Sequence, residues 1–311
     1  MKKSVTFKNG HLKMAGNLYL PEGFDESKKY SGIVVVHPGG GVKEQTAGVY
    51  AQKLSDNGFV ALAFDASHQG ESGGEPRLLE DPNARVEDVR CAVDYLITLP
   101  YIDQEKIGAL GICAGGGYVV AAAPTERRIK AVATVSAVDI GSMFRGEGSI
   151  ETQLQTLEAV GKQRTSEANG TEAHFLTYAP DKLEEIDENT PVLMREAFDY
   201  YRTPRAQHSN SPNRFLFTSV DKLMAFSATS QIRTYLTQPM LLIVGTEADT
   251  RGYSEQFHEL SNGPKELFWV KGATHIAMFD IPEYVDRAVT KLTEFFWQES
   301  LRNKKVESKE F

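Results

Sequence analysis

Cysteine is scarce in this chain, whose 311 residues include only Cys91 and Cys113. Two cysteines, one of them in a predicted helix, are too few for the disulfide framework of a small secreted domain. A reducing compartment, the cytoplasm, is therefore the expected location. Neither cysteine belongs to a cluster with metal-ligand spacing, so we expect no metal and no other cofactor.

Long apolar runs and an excess of basic residues are also missing. No run approaches the roughly 20 apolar residues of a transmembrane helix, and the N-terminal lysines lack the apolar stretch of a signal peptide. With 34 basic and 42 acidic residues, the net charge is −8, which disfavours nucleic acid and anionic membranes as partners. A small molecule is the expected partner, and the sequence leaves the oligomeric state open.

Short apolar runs that alternate with helical stretches are the main signal in what remains. At 41% hydrophobic residues, a chain of this length can bury a complete α/β core. A hairpin is predicted over residues 4–20, and buried strands over 32–37, 60–65, 106–112, 129–136, 240–245 and 265–270. The fold class is therefore α/β, with a mostly parallel central sheet and helices on both faces.

The alternation stops between residues 137 and 237, a stretch far too long for an ordinary connection. Apolar residues recur there at helical spacing, within residues 154–160, 183–186 and 193–201. We therefore predict a helical cap inserted late in a core formed by residues 1–136 and 238–311. Tyr201 and Phe226 are expected to contact substrate, with core packing as the alternative. The cap cations, which would meet an acidic substrate group or simply be solvated, are Arg145, Arg202, Arg205 and His208.

The stretch KIGALGICAGGG, residues 106–117, breaks abruptly from an apolar run into glycines. Small residues at this point let a buried strand turn sharply into a helix, leaving Cys113 at the apex of a nucleophile elbow. The positive end of the helix dipole would make the thiol easier to ionise, and the backbone N–H of Ala114 could donate to an oxyanion. The alternative is that Cys113 is a small core residue beside glycines that serve packing.

A second glycine-rich segment, HPGGG at residues 37–41, follows an earlier predicted strand. Ligands of open α/β sheets bind at the carboxyl ends of strands, where bare backbone can present N–H groups. Gly39 or Gly40 is expected to complete the oxyanion hole begun by Ala114. The alternative is an ordinary glycine-rich turn.

His275 lies in the loop after the last predicted strand, which is where a general base belongs. The loop after the preceding strand carries two carboxylates, Glu247 and Asp249, either of which could orient the histidine. We predict Asp249, because its side chain is the shorter and it lies nearer the far end of the loop. Asp280 is the fallback. The order nucleophile, acid, histidine is one that P-loop or dinucleotide-binding folds would not produce.

These motifs carry a family resemblance. GICAGG resembles the elbow of dienelactone hydrolases in the α/β-hydrolase superfamily, and HPGGG resembles their oxyanion loop. The resemblance implies an α/β-hydrolase fold and a triad of Cys113, His275 and Asp249. Two features depart from it: the acid loop reads G-T-E-A-D, one residue longer than the usual G-x-x-D, and the long cap looks more like that of fungal polyketide-chain transferases and thiohydrolases.

The expected function is hydrolysis of carboxylic ester, lactone or thioester bonds through an acyl-enzyme on Cys113. One alternative is an acyltransferase that excludes water and passes the acyl group to an alcohol, using the same residues. Another is a small-molecule binding protein that keeps the fold without turnover, because fold alone does not establish function.

Overall fold

The computed structural model describes residues 1–146 and 148–307, whose largest element is an eight-stranded sheet. The strands are β1 (Lys2–Asn9), β2 (Leu12–Tyr19), β3 (Tyr30–Val36), β4 (Val60–Phe64), β5 (Ile102–Ile112), β6 (Ile129–Val135), β7 (Phe175–Thr177), β8 (Arg214–Leu216), β9 (Met240–Gly245) and β10 (Lys265–Val270). The order in the large sheet is β1-β2-β4-β3-β5-β6-β9-β10. β1 and β2 form the predicted antiparallel hairpin, and the strands from β4 to β10 in that order pair in parallel.

Helices cover both faces of this sheet, as predicted. They are α1 (Thr46–Asp56), α2 (Pro82–Ile97), α3 (Ala114–Ala122), α4 (Ile140–Arg145), α5 (Ile150–Ala168), α6 (Val192–Arg202), α7 (Val220–Ala225), α8 (Ile232–Tyr235), α9 (Arg251–Leu260), α10 (Ala277–Asp280) and α11 (Pro282–Glu307). Side chains of β3 alternate between two cores. Val34 and Val36 pack in the core that contains α2 and α3, whereas Ile33 and Val35 pack in the core that contains α1 and α11. Apolar side chains are therefore buried on both sides of a central parallel strand.

The segment 137–237 contributes no strand to the large sheet among the described residues. It is not wholly helical, because β7 and β8 pair antiparallel within it. The periodicity near Leu183 and Ile186 predicts a helix, but only a 3₁₀ turn, Leu183–Glu185, forms there. The prediction of a helix is therefore wrong. The physical reason is that Leu183 is 67% exposed, so that no neighbour among the described residues buries the apolar side that would stabilise a helix here.

Hydrogen bonds tie this segment to the loops of the core. Tyr178 donates its hydroxyl hydrogen to Glu80 at 3.0 Å, and Ser211 donates to the carbonyl oxygen of Gly40 at 2.5 Å. An ion pair of 2.6 Å joins Arg205 to Asp280. The segment is thereby fixed to core loops, one of which contains the predicted oxyanion glycines. No helix formed by residues 1–146 and 148–307 is long and apolar enough to cross a membrane.

Candidate active site

The junction between β5 and α3 has the predicted elbow geometry. Cys113 lies between these elements with φ 56° and ψ −122°, an uncommon backbone conformation for a residue other than glycine. Its backbone is held by three hydrogen bonds, from its own N–H to Val135 and from Gly116 and Val138 to its carbonyl oxygen, at 2.9–3.0 Å. The surrounding structure therefore maintains the sharp turn.

Two glycines of the elbow are required by close backbone contacts. A Cβ atom on Gly111 would lie 2.1 Å from the carbonyl oxygen of Gly115, and one on Gly115 would lie 2.4 Å from that of Val36. Only glycine fits where backbones approach this closely. The glycine spacing of the sequence thus has a steric cause.

The backbone N–H groups of Ala114 and Gly39 both act on the Cys113 sulfur, and each favours the ionised form of the thiol by lowering its pKa. Of the two glycines predicted for this place, the structure brings Gly39 to it. Gly40 instead has φ 71° and packs against the ring of Tyr178, where an added Cβ would lie 2.5 Å from a ring carbon. Gly40 serves the turn of the loop.

The Cys113 thiol is harder to ionise than the sequence suggested. Burial raises its pKa to about 12, although the N–H groups of Ala114 and Gly39 and the charge of Arg85 act in the opposite direction. The expectation that the thiol is easier to ionise is therefore wrong, because desolvation outweighs the two N–H groups and the charge of Arg85. The side chain is half-buried, and at neutral pH it is a thiol.

His275 lines the same cavity as Cys113 and is 1% exposed. Its Nδ1 lies 2.5 Å from the hydroxyl oxygen of Thr250, and its Nε2 has no hydrogen-bond partner among the described residues. Burial lowers the pKa of the ring to about 4. The imidazole is therefore neutral at physiological pH, with one ring nitrogen held and the other available.

The structure does not bring Asp249 to His275. Asp249 is exposed, and its carboxylate accepts a hydrogen bond of 3.2 Å from the backbone N–H of Leu193 in α6. Glu247 is also exposed and accepts from Thr246, while Asp280 pairs with Arg205.

The buried partner of His275 is Thr250, the residue directly after Asp249. The predicted loop does face His275, but its residue in contact with the ring is Thr250 instead of Asp249. The extra residue in G-T-E-A-D is the signal that the register of this loop differs.

The cavity shared by Cys113 and His275 has a volume of about 460 Å³. Residues of α4, β7, α6 and the loops around them form its walls, and Tyr201 is among them, as predicted. Phe226 is not: it is buried against Tyr118 of α3, with ring centroids 5.7 Å apart. The described lining residues are Gly39, Cys113, Ala114, Ile140, Met143, Phe144, Leu176, Thr177, Tyr178, Leu193, Met194, Ala197, Tyr201, Phe215, His275, Ile276 and Phe279.

None of these lining residues is an aspartate, glutamate, lysine or arginine. The cap cations are engaged elsewhere. Arg145 donates to the carbonyl oxygens of Met224 and Phe226, Arg202 pairs with Asp181 at 3.3 Å, and Arg205 pairs with Asp280. His208 accepts a hydrogen bond from the backbone of Asn210. The alternative of a cap cation that meets an acidic substrate group therefore has no support in the cavity wall.

A buried polar network lies behind the cavity. Glu80 accepts hydrogen bonds from the hydroxyl groups of Tyr118 at 2.6 Å and Tyr178 at 3.0 Å, and Arg85 stacks over the Tyr118 ring. His37 has a structural place in the adjoining loop, because its Nε2 accepts a hydrogen bond from the backbone N–H of Ala66. Among residues 1–146 and 148–307, no group of three or more His, Cys, Asp or Glu side chains could hold a metal ion.

Comparison with known proteins agrees with the fold. Residues 14–137 match the family model described as Dienelactone hydrolase family. The uncharacterized protein YcjY of Escherichia coli strain K12 is 43% identical over 304 residues, which cover 95% of this chain and 98% of YcjY. The solved structure of hypothetical protein PA2218 from Pseudomonas aeruginosa is 33% identical, with a TM-score of 0.89 and coverage of 96% and 94%.

A more distant structure shares the fold. The crystal structure of α/β hydrolase GrgF from Penicillium sp. sh18 is 20% identical, with a TM-score of 0.79, and the match covers 96% of this chain and 98% of GrgF. A curated relative described as polyketide transferase grgF from Penicillium sp. is 25% identical over 73% of this chain and 74% of its own length. At these identities the structural likeness concerns the architecture.

Proposed function

Because the chain belongs to the dienelactone hydrolase family of α/β hydrolases, we propose that it cleaves carboxylic ester, lactone or thioester bonds through an acyl-enzyme on Cys113. One observation carries this proposal. The Cys113 sulfur stands at a strained elbow, receives two backbone N–H groups, and shares its cavity with the free nitrogen of His275. A cysteine that served only core packing would need none of these.

In the proposed first step, the sulfur attacks the carbonyl carbon of the substrate while His275 Nε2 accepts the thiol proton. The carbonyl oxygen becomes an oxyanion, which the N–H groups of Ala114 and Gly39 stabilise. When the tetrahedral intermediate collapses, the imidazolium gives its proton to the departing alcohol or thiol. Water then attacks the thioester carbon, His275 takes a proton from that water, and collapse releases the acid and the Cys113 thiol.

Proton transfer accompanies sulfur attack in this mechanism. The thiol has a pKa raised to about 12 and the imidazole one lowered to about 4, so a thiolate–imidazolium pair is disfavoured before substrate binds. Charge separation arises in the transition state, where the two N–H groups are placed to stabilise it.

The cavity wall supports an uncharged, apolar acyl group. A volume of about 460 Å³ lies in the range of small-molecule sites, and the described residues of the wall include no carboxylate, ammonium or guanidinium side chain. A substrate carboxylate would lose its hydration there and find no charged partner. The free-energy cost of this desolvation is on the order of several kcal/mol. Aliphatic or aromatic acyl esters and thioesters are the substrates we expect.

Transfer of the acyl group to an alcohol is the second candidate. Apolar walls offer few groups to hold a hydrolytic water, and the curated relative grgF is described as a polyketide transferase. The same Cys113 acyl-enzyme would serve both reactions, so the acceptor decides between them.

The test is a panel of p-nitrophenyl esters and acyl thioesters from acetyl to dodecanoyl, each with and without an added alcohol. Wild-type protein should release the leaving group, and a slow substrate should add one acyl mass to the peptide that contains Cys113. Cys113→Ala should show neither result, whereas the matched control Cys91→Ala should show both. Full turnover by Cys113→Ala would overturn the mechanism, and no turnover of any member would favour a binding protein on this fold.

A further inference from the structure

In the loop that faces His275, Asp249 and Thr250 are neighbours in sequence but contact different parts of the protein. Resting on the proposed function, we propose that Thr250 is the positioning residue that holds His275 for catalysis, and that Asp249 anchors cap helix α6. Thr250 and His275 are both buried, at 6% and 1% exposure, and their side chains meet at 2.5 Å. Asp249, one residue earlier, is exposed and bonds to the backbone of α6.

The contact with Thr250 is compatible with the tautomer of His275 that can act as a base. For Nε2 to accept the thiol proton, Nε2 must be unprotonated and Nδ1 must carry the hydrogen. In that tautomer Nδ1 donates to the hydroxyl oxygen of Thr250, and Nε2 is the nitrogen without a partner among the described residues. Because a hydroxyl can either donate or accept, the contact itself holds the orientation of the ring. In the proposed arrangement Thr250 accepts from Nδ1, which leaves Nε2 free to act as the base.

A hydroxyl differs from a carboxylate in what it does to the charged ring. A carboxylate beside Nδ1 would stabilise the imidazolium and raise the pKa of His275. Here burial alone acts on the ring and lowers its pKa to about 4. This agrees with a partner that orients the base and brings no charge. The other titratable groups of the cavity wall are Cys113, Tyr178 and Tyr201, and burial raises the pKa of each.

Asp249 has a separate structural task at the N-terminus of α6. This helix begins after Pro191, and no side chain of its own N-cap residue bonds its first turn. The Asp249 carboxylate accepts the N–H of Leu193 and places a negative charge at the positive end of the helix. Because α6 supplies Leu193, Ala197 and Tyr201 to the cavity wall, Asp249 acts on the space that receives substrate.

The test compares Thr250→Val, Thr250→Ser and Asp249→Asn with wild type by kcat, KM and melting temperature. Thr250→Val keeps the shape and removes the hydroxyl, so kcat should fall about 10- to 100-fold while KM stays within about twofold. Thr250→Ser should restore most of kcat. Asp249→Asn should leave kcat near wild type and raise KM for long acyl substrates a few-fold. Glu247→Gln, an exposed carboxylate in the same loop, is the matched control and should match wild type.

A loss of about 10⁴-fold in kcat for Asp249→Asn, with Thr250→Val near wild type, would overturn the proposal and identify Asp249 as the triad acid. Nitrogen NMR of the His275 ring supplies a readout that does not need turnover. Wild type should show hydrogen on Nδ1, and Thr250→Val should lose that preference. Retention of the same tautomer in Thr250→Val would also contradict the role of Thr250. An absence of wild-type turnover with the expected ring spectrum would refute the proposed function and leave this placement standing.

Discussion

The acid limit of activity is a direct measure of the environment of His275. Burial lowers its pKa from 6.5 to about 4. At pH 5 a base with a pKa of about 4 is about 90% unprotonated, whereas one with a pKa of about 6.5 is only about 3% unprotonated. The two cases therefore differ about 30-fold in the active fraction at that pH. We expect kcat/KM at pH 5 to stay close to its value at pH 7.

The assay is kcat/KM against pH with an uncharged p-nitrophenyl ester, because kcat/KM reports the free enzyme and this substrate does not titrate. Burial also raises the pKa of the other titratable groups of the wall, that of Cys113 to about 12 and those of Tyr178 and Tyr201 well above 10. No cavity group among the described residues should titrate between about pH 5 and 9, so the profile should be flat there.

Folding must be followed in the same samples, because the same pKa shift couples stability to pH. The folded state disfavours the protonated ring, so the unfolded chain binds more protons between pH 4 and 6.5. The contribution of neutral His275 to the free energy of unfolding is fully present above about pH 6.5. It is lost as the pH decreases, and below about pH 4 the loss amounts to about 3 kcal/mol. His37 is buried and its pKa is also lowered, so it adds to the loss. Circular dichroism at each pH separates titration from unfolding.

An acid limb centred near pH 6.5 in fully folded protein would refute this account of His275. A bell-shaped profile with a second limb between pH 7 and 9 would show that Cys113 ionises near neutrality, contrary to its buried environment.

Three further outcomes follow from the geometry. Iodoacetamide should alkylate half-buried Cys113 before buried Cys91. The rate of alkylation should rise through pH 9 without a plateau, because burial raises the pKa of both thiols. Mass spectrometry that finds Cys91 modified first would contradict the access of reagent to Cys113 through the cavity. Tyr201→Ala should shift the preferred substrate of the ester panel towards longer acyl groups. Phe226→Ala should leave the acyl-length preference unchanged and lower the free energy of unfolding by about 3–5 kcal/mol. The reverse pattern would show that Phe226 lines the cavity and Tyr201 belongs to the core. Gly111→Ala should abolish soluble expression or lower the melting temperature sharply, because its Cβ would lie 2.1 Å from a backbone oxygen; a wild-type melting temperature would exclude the elbow as described.

The parallel core was predictable because its signals are local. An apolar run such as residues 240–245 is typical of a strand buried on both faces, and the structure forms β9 there. The elbow was predictable for the same reason. Gly111 and Gly115 stand where the backbone contacts leave no room for a side chain, so the sequence itself marks the turn. The predicted cap helix near residue 193 also forms, because Leu193, Ala197 and Tyr201 recur on one face that the cavity needs.

The rest depended on interactions between distant segments. The loop after β9 could present either Asp249 or Thr250 to His275. Its register presents Thr250, and the N-terminus of α6 binds the Asp249 carboxylate instead. The ionisation of Cys113 depends on the burial that the folded chain imposes, which outweighs the nearby N–H groups and the charge of Arg85. Phe226 is aromatic in either setting, and only the packing against Tyr118 assigns it to the core.

The bonds between segment 137–237 and the core bear on how enzymes of this kind could be recombined. Tyr178 rests on Glu80, Ser211 holds the backbone of Gly40, and Gln45 donates to the carbonyl oxygen of Ala206 at 2.8 Å. A chimera that exchanged this segment alone would give Glu80 a foreign side chain and Gln45 a foreign backbone segment as partners. Such grafts should succeed only when these core partners travel with the transplanted segment, so substrate range and core sequence must diverge together.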